Sequence, residues 1–392
     1  MNTSKRLESL QPSSTFIFMS KAMELKKKGI DVIDLSVGEP ELPTPENVKS
    51  AGIKAIEENF TKYTPTAGIV ELRNIIAEDY SRKTGVKFEP REVIVTPGSK
   101  FGLFLSALAL FDEGDEVIIP SPYWVTYPEQ VKLCGAIPVF VSLVEEEGKI
   151  NFKGEKIIPY INEKTKAVIL NYPSNPSGSV IDEEGLKKLC ELSLEKGFYI
   201  IIDECYRDII FEREFPEALR LSPQSKNNLI IIGSLSKSYS MTGWRIGYTL
   251  ASKEIIEKME ILQGHSTSNP CSISQKAAVE AIKNSSEHIK KVREIYWRRR
   301  DMGIKLLREI KNLKIHPPEG AFYFYPDLSY YIGKKVKDTT ELVLYLIEDA
   351  RVVTVPGDSF GTPGFVRISF AVSDENLIEG IKRIKEALSK IE

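Results

Sequence analysis

Between about residue 90 and residue 250 the sequence alternates short apolar runs rich in β-branched residues with longer amphipathic stretches, and few architectures accept that alternation. The runs are EVIVT, EVIIP, AIPVFV, AVILNY, FYIIID and LIIIG. Strands apolar on both faces belong to a mostly parallel sheet covered by helices, so the fold class is α/β, built from βαβ units. In such a sheet ligands gather at the carboxyl ends of the strands. The residues that close these runs are therefore the first candidates for chemistry.

After about residue 286 the pattern changes. A long charged helix is expected over roughly 288–310, with its YWRRR segment on a solvated face. GAFYFYPDLS and FVRISF predict strands, and a last helix runs from Asp374 to the end of the sequence. A chain of 392 residues exceeds one ordinary domain. We expect a large domain over 48–287 and a smaller α+β domain from 288–392 together with 1–47. The segment before the Pro-rich turn GEPELPTPE is expected to pack on the smaller domain.

Composition narrows the function classes. Lys+Arg 53 against Asp+Glu 55 gives a net charge of −2, without the basic footprint of a nucleic-acid binder. The opening MNTSKRLESL carries no apolar stretch, and the nearly apolar run 103–111 is too short for a bilayer, so a cytoplasmic protein with no membrane partner is expected. Cys134, Cys190, Cys205 and Cys271 are scattered, and core packing accounts for them. His265, His288 and His316 show no ligand spacing, so no metal is expected. With histidine scarce, acid–base work falls to lysine, tyrosine and carboxylates.

The strongest local signal is SLSKSYSMTGWRIG, which follows the run LIIIG. Lys237 there sits among small hydroxyl residues with Arg245 eight positions on. A cationic neighbour and partial burial keep such a lysine deprotonated and nucleophilic. Ser234, Ser236 and Arg245 supply hydroxyl donors and a guanidinium fork, suited to a phosphate. Gly98-Ser99-Lys100 closes EVIVT and opens an apolar helix, whose first backbone N–H groups attract an anion.

This stretch resembles the lysine segment of the class I, fold-type I aminotransferases, which use pyridoxal 5′-phosphate, and the likeness runs along nearly the whole chain. SVGEP, KYTPTAG, TPGSK, SPYWVTYPE, NYPSNPSG, DECYRD, SLSKSYSMTGWRIGY and GFVRISF occur in family order. The resemblance implies that Lys237 carries the cofactor as a Schiff base and acts as general base. It implies that Asp203 faces the pyridine nitrogen, and that Tyr206 and Asn175 bond the 3′-oxygen. By residue type alone, Asp203 reads equally as a turn cap, Tyr206 as a core tyrosine and Asn175 as a turn residue. By the same likeness, Ser99 and Lys100 join Ser234, Ser236 and Arg245 at the phosphate, Trp124 stacks on the ring, and Tyr63 reaches the site of a partner subunit. That last role makes the expected assembly a homodimer with shared active sites. Arg367, flanked by apolar residues, is costly unless it faces an anion; the family gives it the substrate α-carboxylate, with Asn175, Trp124 and the backbone of Gly38. A structural ion pair is the plainer alternative for this arginine.

One bacterial subgroup, the aspartate/prephenate aminotransferases, holds the distal carboxylate of its substrate with a lysine and a Ser-x-Thr near the N-terminus. Lys100, Ser13 and Thr15 stand in those positions, although the subgroup's usual Gly-Gly-Lys reads Gly-Ser-Lys here. The expected reaction is amino transfer from L-aspartate to 2-oxoglutarate, with prephenate or another reaction of the same cofactor as alternatives. A solvated loop lysine is the plainer reading of Lys100. HSTSNPCS offers no arginine for the other known way of reading a second carboxylate. A cofactor-binding transcription regulator is disfavoured because no basic helix-turn-helix stretch precedes SVGEP, and a dinucleotide enzyme because no GxGxxG follows the first strand.

Overall fold

The computed structural model describes residues 4–8, 10 and 14–391. In chain order its strands are β1 (Ile33–Asp34), β2 (Val93–Thr96), β3 (Glu116–Ser121), β4 (Ile137–Ser142), β5 (Thr165–Asn171) and β6 (Tyr199–Asp203). There follow β7 (Leu229–Ser234), β8 (Gly247–Leu250), β9 (Tyr323–Phe324), β10 (Val352–Val353), β11 (Val355–Pro356) and β12 (Val366–Ser369). β2 to β8 form a seven-stranded sheet in the order β2-β8-β7-β6-β5-β3-β4. β3 to β7 pair in parallel, while β8 runs antiparallel to both of its neighbours. This is the α/β architecture that the alternation predicts.

Successive residues of a strand face opposite sides, so an unbroken apolar run feeds two cores. Ile200 and Ile202 join Val168, Leu170 and Ile231 on one face; Ile201 joins Ile169, Ile230 and Ile232 on the other. The helices Val70–Thr84, Glu183–Lys196 and Ser272–Asn284 cover the first face. Ser99–Leu110, Thr126–Leu133 and Lys253–Gly264 cover the second. Each fully buried isoleucine contributes about 1.5–3 kcal/mol relative to exposure. AIPVFV departs from two-sided burial: β4 is the edge strand, and Ile137 and Phe140 are 50% and 44% exposed.

A separate core gathers Leu35, Val292, Tyr296, Leu307, Phe322, Phe324, Ile368, Ile381 and Leu388. GAFYFYPDLS supplies β9 and FVRISF supplies β12, which pair antiparallel within the order β11-β12-β9. β1 lies parallel to β10. The final helix, Asp374–Ser389, is capped by the Ser373 hydroxyl, which accepts from the Asn376 N–H at 3.2 Å. No helix among the described residues is long and apolar enough to cross a membrane.

Two expectations need correction. YWRRR lies in the helix Ser286–Leu307, yet Tyr296, Arg299 and Arg300 are buried, and Arg298 is the exposed arginine. Arg299 pairs with Glu41 and Asp374; Arg300 pairs with Glu212 and Asp301 and lies 5.1 Å over the Phe211 ring. Guanidinium groups tolerate burial where carboxylates and aromatic faces replace water. Core packing also fails for one cysteine: Cys190 is buried and Cys134 and Cys205 pack half-buried against a core, but Cys271 is exposed beside a helix start.

Candidate active site

Asn171, Asp203 and Ser234 end β5, β6 and β7, and above them a cleft of about 370 Å³ opens toward the loop 37–39 and β12. Lys237 reaches it from the turn after β7, and its Nζ donates to the Gly38 carbonyl at 2.5 Å. Burial lowers the ammonium's pKa, opposed by Cys205 and Glu39 and reinforced by Arg367 and Arg245. That combination yields a neutral amine more readily than an ordinary lysine does.

Asp203 is buried at the floor. Its Oδ2 accepts from the Tyr127 hydroxyl at 2.8 Å, and its Oδ1 accepts from the Cys205 N–H at 3.0 Å. Burial pushes the carboxyl up to about 6 despite those two donors. Asn171 ties this floor to the next loop: its Nδ2 donates to the Asp203 carbonyl at 3.0 Å, and its Oδ1 accepts from the Asn175 N–H at 2.8 Å. Glu204 points the other way, accepting from the Tyr80 hydroxyl at 2.9 Å and pairing with Arg207, which anchors the turn from behind.

At one end the helix Ser99–Leu110 begins beside Ser236 and Arg245. Gly98 takes φ +84°, and a Cβ there would collide with Nη2 of Arg245. Only glycine brings the chain this close, and the first N–H groups of a helix have no partner within it. Serine hydroxyl, guanidinium and helix start together form a cradle for a phosphate-sized anion. Ser234 lies beneath rather than on the wall; its Oγ accepts from the Ser236 N–H at 3.1 Å.

At the other end Arg367 is almost wholly buried. Nη1 donates to Asn175 Oδ1 at 2.9 Å and Nη2 to the Ser36 carbonyl at 2.8 Å, while Nε has no partner among the described residues. The guanidinium lies 4.6 Å over the Tyr323 ring and 5.2 Å over Phe360. Among the described residues no carboxylate pairs with it, so the plainer structural ion pair is not what is found. Lys100 places Nζ 4.7 Å over the Trp124 ring, and its pKa is lowered by burial and then by Arg245 and Lys237.

The cleft therefore gathers Gly38, Ser99, Lys100, Trp124, Asn175, Asp203, Tyr206, Ser236, Lys237, Arg245 and Arg367. Tyr63 is 89% exposed and does not line this chain's cleft. Ser13 lies outside the described residues; Thr15 falls in the helix Ser14–Lys27, its side chain outside them too. Sequence reasoning missed Tyr127, Asn171, Cys205 and Tyr323. Tyr127 had a visible signal, since it stands one helical turn from Trp124 in SPYWVTYPE. Tyr206 and Tyr323 share a hydrogen bond at 2.9 Å, which spacing alone could not reveal.

The family model for aminotransferase class I and II matches residues 30–384. A probable aspartate/prephenate aminotransferase of Aquifex aeolicus is 44% identical over 98% of each chain. An aspartate aminotransferase of Bacillus subtilis is 42% identical over 100% of each. The solved structure of a Thermus thermophilus aspartate aminotransferase with maleate is 38% identical, with a TM-score of 0.93 over 99% of this chain and 100% of that one.

Proposed function

The chain belongs to the class I and II aminotransferase family, and from that premise we propose that it transfers an amino group from L-aspartate to 2-oxoglutarate in a ping-pong cycle. Pyridoxal 5′-phosphate is the cofactor. One observation carries the substrate class: the cleft is lined by the cations Lys100, Lys237, Arg245 and Arg367 against the carboxylates Asp203 and Glu39. A phosphate and a dicarboxylate together answer that excess.

In this reading Lys237 binds the cofactor covalently, Asp203 faces its ring nitrogen, and Asn175 and Tyr206 bond its 3′-oxygen. Trp124 covers the ring. Ser236, Arg245 and the N–H groups of Ser99 and Lys100 hold the phosphate, Ser234 supports Ser236 from beneath, and Tyr63 of the partner subunit completes the cradle in a cytoplasmic homodimer. The buried carboxyl of Asp203, raised to about 6 despite its two donors, and the collision-limited cradle at Gly98 suit such a group. When bound, the cofactor supplies an electron sink for the pair left at the substrate Cα as its proton departs.

This chain's residues do the rest. Arg367, with Asn175 and Gly38, orients the α-carboxylate, and its unpartnered Nε gives it a donor to spare. Lys100, with Ser13 and Thr15, holds the distal carboxylate. Lys237 would take the proton from Cα and return it at the cofactor's C4′, and its lowered pKa makes the neutral form accessible for that work. The two cores support a division into 48–287 and 1–47 with 288–392.

Prephenate is a second reading, favoured by the name of the Aquifex relative and by its own second carboxylate, which Lys100 could hold equally. The deciding assay follows the visible spectrum of the loaded protein as L-aspartate, L-alanine and L-phenylalanine are added in turn, and then 2-oxoglutarate or prephenate. The cofactor band should fall with aspartate and recover with the oxo acid. Equal response to alanine would end the dicarboxylate reading.

A further inference from the structure

Tyr323 lies where three parts of the cleft meet, and none of the roles above uses it. It is fully buried on β9. Its hydroxyl is 2.9 Å from that of Tyr206, and the two rings meet edge to face at 5.8 Å. The face of its ring lies beneath the Arg367 guanidinium, 4.6 Å from the centroid. Its hydroxyl also abuts Gly38, where an added Cβ would stand 3.3 Å away.

Two hydroxyls in one hydrogen bond divide into a donor and an acceptor. If Tyr206 spends its proton on the cofactor's 3′-oxygen, it can only accept from Tyr323, and the direction of the chain is fixed. Donors in series polarise one another. A cation over the Tyr323 ring draws charge from that phenol and strengthens it as a donor.

We propose that Tyr323 is a positioning residue that relays the occupancy of Arg367, through Tyr206, to the cofactor's 3′-oxygen. The proposal rests on the pyridoxal phosphate reading above. With Arg367 free, the series of donors stabilises negative charge on that oxygen and weakens its hold on the neighbouring proton. A substrate carboxylate neutralises Arg367, the pull on Tyr323 slackens, and the proton is held to higher pH. Binding at one end of the cleft thereby sets the protonation state at the other.

Arg367 also reaches the 3′-oxygen by a second path, since its Nη1 donates to Asn175 Oδ1 at 2.9 Å, and the part of the maleate-induced shift that survives in Tyr323→Phe is assigned to it. Among the described residues Cys205 acts electrostatically on both phenols, Asp203 and Lys237 act on Cys205, and Tyr296 packs across Phe322. Burial keeps both phenols protonated and holds the Cys205 thiol at about 11.

The test is a pH titration of the visible band of the protein loaded with pyridoxal phosphate, alone and saturated with maleate as a dicarboxylate probe. In the unchanged protein maleate should raise the midpoint. Tyr323→Phe keeps the ring under Arg367 and removes the hydroxyl. Its free midpoint should rise by about half a pH unit or more, and the maleate-induced shift should shrink by roughly half. In a Tyr206→Phe background, adding Tyr323→Phe should change neither quantity. Titrations of Tyr323→Phe that superimpose on the unchanged protein would overturn the relay and leave the cofactor reading intact. An unchanged protein that shows no visible band would remove the cofactor reading and the relay with it. Should the variant not fold, neutron diffraction of the unchanged loaded protein decides. A proton on Tyr323 directed at Tyr206 supports the relay, and a Tyr206 proton directed at Tyr323 overturns it.

Discussion

The hydroxyl of Tyr127 donates to Oδ2 of Asp203 at 2.8 Å, and the same tyrosine ring meets Trp124 edge to face at 5.5 Å. One residue thus steadies both the carboxylate at the floor of the cleft and the aromatic at its wall. Tyr127→Phe keeps the ring contact and removes the donor. A hydrogen bond to a charged group is worth about 1.5–3 kcal/mol, so the affinity of the cofactor-free protein for pyridoxal phosphate should fall roughly tenfold or more near neutral pH. Absorbance titration measures this, and an unchanged dissociation constant would show that the hydroxyl does not tune Asp203.

Asp203 itself gives a prediction for the cofactor-free protein. Burial raises its carboxyl from an ordinary 3.8 to about 6. For a raised carboxyl the stabilising contribution is fully present below pH 4 and is lost as pH rises through 6. Asp203→Asn should therefore be more stable than its parent at pH 8, by roughly 2–3 kcal/mol, with the gap closing toward pH 4. Thermal melts across that range report it. A variant that melts lower than its parent at pH 8 contradicts the argument. The same substitution should impair turnover of the loaded protein.

Lys100→Ala removes the cation over Trp124. The KM for L-aspartate should rise about 10- to 100-fold, as expected for one charge-assisted hydrogen bond, with little change in kcat/KM for L-alanine. Steady-state assays with both donors check this. Equal losses for the two amino acids would make Lys100 a general cofactor contact.

Arg299→Leu leaves Glu41 and Asp374 without their shared partner. Both carboxylates stay about 30% exposed and Asp374 keeps Arg298, so the loss is that of hydrogen bonds to charged groups, about 1.5–3 kcal/mol, and the urea midpoint should drop. Arg298 first, then Arg299, holds the Asp374 carboxyl at about 2, so its contribution is present above the ordinary carboxylate range and is lost as pH falls toward 2. The deficit should accordingly persist from pH 8 down to about 4.

The sheet was legible because two-sided burial writes itself as unbroken apolar runs, and EVIIP or FYIIID leave little choice. β8 went unnamed because GYTL is short and continues a motif read for chemistry. Strand-end residues such as Asp203 and Lys237 were legible for the same reason as the strands. Tyr323 and Cys205 were not: Tyr323 meets Tyr206 and Arg367, and Cys205 interacts with Ser99, Ser234 and Lys237, all distant from it in sequence. Arg299 and Arg300 misled because a run of like charges gives no sign that Glu41, Asp374 and Glu212 fold onto it.

The hydrogen bond from Arg367 to the Ser36 carbonyl joins residues 331 apart in sequence, and that from Lys237 to Gly38 joins residues 199 apart. Closing such spans is the slow, entropy-limited part of folding. The central sheet can form, with Asn171 and Asp203 already adjacent, while the two chain ends that roof the cleft are still undocked. Ligand competence should then be the last property the chain gains during refolding. A nick near residue 36 would silence the site while the sheet beneath it stayed whole.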